Sequence, residues 1–393
     1  MQASIAVTTS VTNESRSRLA DYITMVVVLL MSLGAVMVFS AGANLSYELE
    51  LRRFYDYPAL RQIFFFPVAV VVLLVVSSID YRWLRMREVW WKSPPVWLLA
   101  VSLVLARLVL IPQIGTEINE ARRWLRVSVG PVSISCQPSE LVKWSMIFFL
   151  AAVGAKYPQG VRRYWKGFLP LCGLIGLACY LIVREDFGTA AFIALMSFAM
   201  LATAGVKWWH VLTLLPPAGG GFVAALFQAS HRLGRLTAFL HPEKYAETIM
   251  YQANQSLIAI GSGGLWGKGL GQGISKYGHL PEDTTDFVFA IVGEELGLVG
   301  TAGVLLLFVL FVCLGLTVAL RCRDRFGRFL ATGIVLAIGI QAALNIGVVT
   351  VVLPTKGIPL PFISAGGTSM LLSAAAVGVL LNIASRDDRA GLE

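Results

Sequence analysis

Charge is scarce in this chain of 393 residues: Asp, Glu, Lys and Arg make up 14% of it, while 56% is hydrophobic. Soluble proteins carry about 25% charged residues. A water-soluble fold has no place for so many long apolar runs, whereas a bilayer does. Cysteine is equally sparse. The five cysteines, Cys136, Cys172, Cys179, Cys313 and Cys322, have no metal-ligand spacing, and an odd number argues against a disulfide framework. Cys172 and Cys179 stand roughly 10 Å apart along one expected helix, too far to bridge. No basic stripe interleaved with aromatics appears, so the net charge of +9 is not a nucleic-acid footprint. Internal repeats, low-complexity linkers and a second, soluble domain are also missing. A retained first span, not a cleaved leader, is expected at 22–41, because that run is too long for a signal-peptide core and the residues before it are not clearly basic.

The apolar runs fall at 22–41, 62–79, 96–112, 138–155, 167–183, 187–206, 208–227, 286–316, 328–353 and 360–384. Each covers a hydrocarbon core of ~30 Å at ~1.5 Å per residue. The expectation is therefore an all-α polytopic membrane protein of about ten transmembrane helices. Its tail 1–21 and tail 385–393 would be cytoplasmic, flanking a membrane domain 22–384. An even number of spans puts both termini on one side, and Lys and Arg in the short loops favour that side as the cytoplasmic one. Residues 228–285 then form a large extracytoplasmic loop between spans 7 and 8, with smaller outer loops at 42–61 and 113–137. The seventh run contains Pro216-Pro217 and Gly219-Gly220-Gly221 and should be broken or kinked. The eighth is too long for a perpendicular span and is expected to tilt or to project outward.

Ionisable residues within spans cost about 2.5–3.5 kcal/mol each by insertion scales and need a reason. Glu140 and Lys143 are three apart on one helix face and can pair; alone they read equally well as a structural ion pair. Asp186 and Asp286 each open a span and, alone, read as helix-start acids. Glu294 and Glu295 sit among Gly293, Gly297 and Gly300, which indicate a close helix contact. Arg107 can snorkel. Convergence changes the weight of these residues. Asp186, Asp286, the Glu140/Lys143 pair, Arg122-Arg123 and Lys356 all map to the outer half of the bundle, as one mixed-charge cavity facing an anionic, lipid-borne substrate. The glycine-rich run 261–273, GSGGLWGKGLGQG, matches neither the P-loop nor the GxGxxG pattern. No nucleotide is expected, and no haem. The run is either a loop whose amides and Lys268 approach a phosphate or a tight connector.

Ordered motifs run along nearly the whole chain. They are Ala121-Arg122-Arg123-Trp124-Leu125, Gln137-Pro138-Ser139-Glu140-Leu141-Val142-Lys143, Asp186-Phe187-Gly188-Thr189, and Arg235-Leu236-Thr237-Ala238-Phe239-Leu240. Further on come Gln255-Ser256-Leu257-Ile258, Thr285-Asp286-Phe287, Gly293-Glu294-Glu295-Leu296-Gly297, Asn345-Ile346-Gly347 and Pro354-Thr355-Lys356-Gly357. With these the chain resembles the SEDS family of bacterial cell-wall proteins, which includes FtsW, RodA and SpoVE, and its Pro-Thr-Lys-Gly is closest to the division branch, FtsW. The resemblance implies a peptidoglycan glycosyltransferase of the inner membrane and division septum. It would polymerise lipid II beside a class B penicillin-binding protein, the transpeptidase, and other divisome proteins. The family's catalytic aspartate falls on Asp286 and its cavity residues on Glu140, Lys143 and Asp186; Gln255 and Ser256 lie in a shared motif and join the substrate-binding candidates. Three positions depart from the family: Thr284 stands where His is usual, Glu185 where Pro is usual, and Ala365 where Tyr is usual.

Glycan polymerisation needs a base for the acceptor hydroxyl, and Asp286 is assigned that role. Arg122, Arg123, Lys143, Lys268 and Lys356 are candidates to neutralise pyrophosphate, together with a divalent cation, Mg²⁺ or Mn²⁺, held by Asp186 or Glu140. Two other classes of function compete: a flippase for the lipid-linked precursor, for which a broken span and buried charges are also apt, and a non-catalytic divisome scaffold.

Overall fold

The computed structural model describes residues 2–42, 57–118, 121–129, 132–214, 216–217, 219–221, 223, 230–245, 247–277 and 280–386. Proline opens several of its helices, where a missing N–H costs nothing. Along the chain run α1 (Gln2–Gly42), α2 (Pro58–Ser78), α3 (Pro94–Leu108), α4 (Pro138–Lys156), the single turn α5 (Pro158–Val161), α6 (Leu169–Val183) and α7 (Phe187–Thr203). The short α8 (Trp208–Leu212), α9 (Ser230–Leu240) and α10 (Tyr251–Ser262) lead to the long helices α11 (Val288–Arg321), α12 (Arg325–Val349) and α13 (Gly367–Arg386). Among the described residues, six helices are long and apolar enough to cross a membrane, and α3 and α7 are shorter apolar helices. The expected spans 1 to 6 and 8 to 10 each coincide with a helix. The seventh run, 208–227, crosses residues that are only partly described, as does the start of the loop 228–285.

In lipid, helices gain little from hiding apolar surface, so close packing and interhelical hydrogen bonds hold the bundle together. The α2–α13 contact uses both. A Cβ at Gly378 would stand 2.7 Å from the Leu73 carbonyl, so glycine allows the two backbones to touch. Asn382 then donates to the Ser77 carbonyl (2.6 Å) and accepts from the Tyr81 amide (3.0 Å). Arg386 pairs with Asp80 at 3.1 Å, and Arg85 with Asp324 at 2.6 Å. These contacts gather the ends of α2, α11 and α13 at one end of the bundle. The opposite end of α1 meets the start of α2, where Gly42 lies against Ala59.

Two features differ from the expectations. The segment 113–137, expected as an outer loop, is a three-stranded antiparallel sheet of β1 (Gly115–Ile118), β2 (Ala121–Val129) and β3 (Val132–Cys136), in the order β1-β2-β3. It is a small β element on a helical fold, and it carries Arg122 and Arg123 on its central strand. The eighth run, in turn, is not one continuous helix. Helix α11 breaks at Gly297, whose φ of 66° and ψ of −160° are non-helical, into 288–296 and 298–321. The shorter arm carries Asp286 just before its start.

Candidate functional site

Asp286 lies where four segments meet. Its carboxylate Oδ2 would be 2.8 Å from a Cβ at Gly357, so the Lys356-Gly357 backbone is pressed against it. On the far side of that glycine is Asp186: a Cβ at Gly188 would sit 3.6 Å from Asp186 Oδ1 and 3.7 Å from the Gly357 carbonyl. Asp186 caps α7, accepting from the Thr189 amide (2.9 Å) and hydroxyl (2.7 Å), and also from Gln137 Nε2 (3.3 Å). The two aspartates flank one loop.

Electrostatics couples them. Burial, then the negative charges of Glu282 and Asp186, push the Asp286 carboxyl up to about 7, while Arg123 and Arg235 pull it down. Lys356 Nζ stands 4.5 Å from the centre of the Phe187 ring; burial lowers its pKa below the usual lysine range and Asp186 raises it. Arg123 is fixed through Nε, which donates to the Glu185 carbonyl at 2.6 Å. Arg122 pairs with Glu117 at 3.1 Å, and its amide donates to Glu185 Oε2 at 2.8 Å. Glu185 therefore ties the sheet to the α6–α7 turn with an acceptor that a proline lacks. The other two departures meet as well, the Ala365 amide donating to the Thr284 carbonyl at 2.9 Å. A shallow, open cleft runs between apolar Ala106, Val109 and Ile182 and the charged Arg122, Arg123 and Asp186.

Other expected site residues lie elsewhere. Lys143 is buried and donates to Glu140 Oε2 (2.7 Å) and to Gln341 Oε1 (2.9 Å); Ser369 also donates to Glu140 Oε2 (3.1 Å). The pair is interior framework rather than a pyrophosphate contact. It reaches the site indirectly, because Gln341 Nε2 donates to the Pro359 carbonyl at 2.8 Å. Ser256 donates across to the Val349 carbonyl at 2.7 Å and is fully buried, so it joins α10 to α12 and does not face substrate. Gln255 is half-buried on α10, with no contact tying it to Asp286. Lys268 pairs with Glu294 at 2.7 Å within a separate cluster, where Lys276 pairs with Glu295 at 3.1 Å and Ser40 donates to Glu295 at 2.7 Å. The glycine-rich run is thus a connector wrapped on two carboxylates of its own chain.

Glu140 Oε2 already accepts from both Lys143 and Ser369. No three His, Cys, Asp or Glu side chains gather as ligands among the described residues. Two residues at the site escaped the site assignment from sequence, Arg235 and Asn345. Both lie in the quoted motifs, but only the fold brings the α9 arginine to Asp286.

The chain matches the family model for FtsW, RodA and SpoVE, described as cell cycle protein, over residues 20–389. It is 39% identical over 381 residues to a probable peptidoglycan glycosyltransferase FtsW of Trichlorobacter lovleyi, with 94% of each chain covered. It is 38% identical over 360 residues to the stage V sporulation protein E of Bacillus subtilis, covering 91% of this chain and 94% of that one. Among solved structures, the crystal structure of the rod shape determining protein RodA of Thermus thermophilus superposes with a TM-score of 0.62 at 26% identity, covering 92% of this chain and 95% of that one. A chain of a peptidoglycan synthase complex, from a study of how polymerisation and crosslinking are coordinated, shares the fold with a TM-score of 0.72 at 24% identity, covering 93% and 97%.

Proposed function

Because this chain belongs to the FtsW/RodA/SpoVE family of cell cycle proteins, we propose that it is a peptidoglycan glycosyltransferase that polymerises lipid II in the inner membrane at the division septum. Its partners in this reading are a class B penicillin-binding protein and other divisome proteins. The observation that carries the chemistry is the position of Asp286. It is a partly buried carboxylate whose proton affinity is raised toward neutrality, matched to the pH at which a general base works best.

In the proposed reaction an acceptor sugar hydroxyl attacks the anomeric carbon of a lipid-pyrophosphate donor. The O–H bond breaks and its proton passes to Asp286. The new glycosidic C–O bond forms as the C–O bond to pyrophosphate breaks. The leaving group needs its charge neutralised, not a proton, unlike the two-carboxylate arrangement of glycosidases. Arg123, Arg122, Arg235 and Lys356 supply positive charge around Asp286 and Asp186, fixed before the reaction begins. Direct displacement inverts the anomeric centre and yields a β-linked strand from an α-linked donor. A divalent cation, magnesium or manganese, held at Asp186 in this reading would add positive charge against the pyrophosphate.

The test is the purified protein with its cognate transpeptidase, given lipid II with and without divalent cation. Wild type should build glycan polymer and Asp286→Asn should not. Normal polymerisation by the Asn variant would remove Asp286 as the base. Lipid II crossing liposome membranes without polymer from either form would favour the flippase.

A further inference from the structure

At the end of α7 opposite Asp186, about 25 Å away along a 17-residue helix, a basic and aromatic patch has no partner. It is built by two segments. The first, between α5 and α6, holds Arg162, Arg163, Trp165 and Lys166 around a turn of π-helix at Tyr164–Phe168. The second, at the start of α8, holds Lys207, Trp208 and Trp209. The Tyr164 and His210 rings pack edge to face at 5.2 Å, and the Tyr164 and Thr213 hydroxyls are 3.1 Å apart, so the segments form one surface.

All four cations are exposed, and none forms an ion pair or side-chain hydrogen bond among the described residues. The sequence offers no acid nearby in the chain: none occurs between Glu140 and Glu185, or between Asp186 and Glu243. Arg162 is nonetheless held in place. Its guanidinium lies over Gly205, where a Cβ would stand 2.5 Å from Nη2, and the φ of +82° there also requires glycine. Trp165 is 75% exposed, and Trp208 and Trp209, stacked at 3.7 Å, are 60% and 61% exposed. Exposed tryptophans at the ends of apolar spans sit at the headgroup level of a bilayer. The rim continues through Trp90 and Trp91, also exposed, on a loop that Lys156 ties down through the Arg87 carbonyl.

We propose that this patch binds the headgroup of an anionic phospholipid, with Arg162, Arg163, Lys166 and Lys207 around the phosphate and the Trp165, Trp208 and Trp209 rings against the glycerol and upper acyl chains. Charge complementarity selects the lipid class, since zwitterionic headgroups offer no net charge to four unpaired cations. The interaction is separate from the chemistry at Asp286.

The full-length protein, purified in mild detergent, is titrated with dioctanoyl-phosphatidylglycerol, dioctanoyl-phosphatidylcholine and glycerol 1-phosphate and read by native mass spectrometry. Wild type is expected to prefer phosphatidylglycerol over phosphatidylcholine about tenfold or more. Arg162→Gln/Arg163→Gln/Lys166→Gln/Lys207→Gln should lose that preference, and Lys244→Gln, an exposed change elsewhere, should keep it. The double variant Arg163→Gln/Lys166→Gln leaves Arg162 on Gly205 and should lose part of the preference at an unchanged thermal midpoint. An undiminished preference in either patch variant overturns the proposal. So does competition by glycerol 1-phosphate as strong as that of the lipid, which would make this a site for free phosphate.

Discussion

Asn345 holds Asp286 by its backbone: Nδ2 donates to the Asp286 carbonyl at 2.8 Å and, from the same nitrogen, to the Ile358 carbonyl at 2.7 Å. One buried amide on α12 thus fastens the candidate base to the loop that presses Gly357 against its carboxylate. Gln341, one turn earlier, fixes the next stretch of that loop and is itself held by Lys143. The buried Glu140–Lys143 pair therefore acts on that loop through Gln341, and Asn345 holds it independently.

Replacing Asn345 by Leu leaves two buried carbonyls without their donor, at ~1–3 kcal/mol each. If part of that cost appears as a misplaced base, glycan polymerisation should fall about 10- to 100-fold. The loss should appear in turnover, with little change in the lipid II concentration that half-saturates the enzyme. Steady-state assays on the purified variant, beside its thermal midpoint, separate misplacement from unfolding. An equal loss of midpoint with full turnover per folded molecule would assign Asn345 to stability alone.

Asp286 has two pH signatures of opposite practical sense. As a base it works only when ionised, so polymerisation should rise with pH through about 7 and then level. For stability, the folded state keeps a proton that the unfolded chain, with an ordinary carboxylate pKa of ~4, has already released. Below ~4 both states are protonated and the site is neutral to stability. Between there and about 7 the folded state binds more protons, so stability falls as pH rises, and above that the cost is complete. Asp286→Asn should flatten the stability profile and abolish polymerisation at every pH. A wild-type rate that does not change between pH 6 and 8 contradicts the assigned role.

The helical framework and the two aspartates were legible because both signals are local. Apolar runs of span length announce helices wherever they occur, and an acid at the mouth of such a run is conspicuous. The same logic misplaced Lys268 and Ser256. A lysine in a glycine-rich loop and a serine in a shared motif have the chemistry of a phosphate site, but their partners, Glu294 and Val349, are set by which helices touch. Arg235 was obscured for the converse reason, since its approach to Asp286 depends on how the loop 228–285 folds back. The sheet at 115–136 was hidden by its brevity, and the break at Gly297 by a run whose composition reads as continuous helix.

Lys268 in the glycine-rich run and Lys276 just after it offer a direct check on that relocation. Glu295 and Lys276 are both buried, at 0% and 3% side-chain exposure. Lys276→Met should cost ~3–5 kcal/mol of stability by stranding a buried carboxylate. Lys268 is 29% exposed, so Lys268→Met should cost less. Neither change should lower the polymerisation rate per folded molecule by more than about twofold, because neither lysine reaches Asp286. A Lys268→Met protein with a wild-type midpoint and a tenfold slower rate would return Lys268 to the substrate site.

Gly297 is where sequence, backbone and site depend most on one atom being missing. Its φ and ψ lie in a region reached essentially by glycine alone, and other residues there are strained by ~1–3 kcal/mol. A Cβ would also stand 2.3 Å from the Gly267 amide nitrogen, and that neighbour is backbone that cannot swing away. The break frees main-chain groups that the glycine-rich run then satisfies: Lys268 and Gly269 amides donate to the Glu294 and Glu295 carbonyls at 3.0 Å each, and the Leu298 amide to the Gly264 carbonyl at 2.9 Å. Gly297→Ala should therefore lower the thermal midpoint more than Lys268→Met does, because it opposes the whole interlock instead of one ion pair. Polymerisation should fall with it, since the arm 288–296 that aims Asp286 pivots at this residue. An alanine variant with both midpoint and rate unchanged would mean that α11 runs straight through position 297, and that Asp286 is positioned by other means.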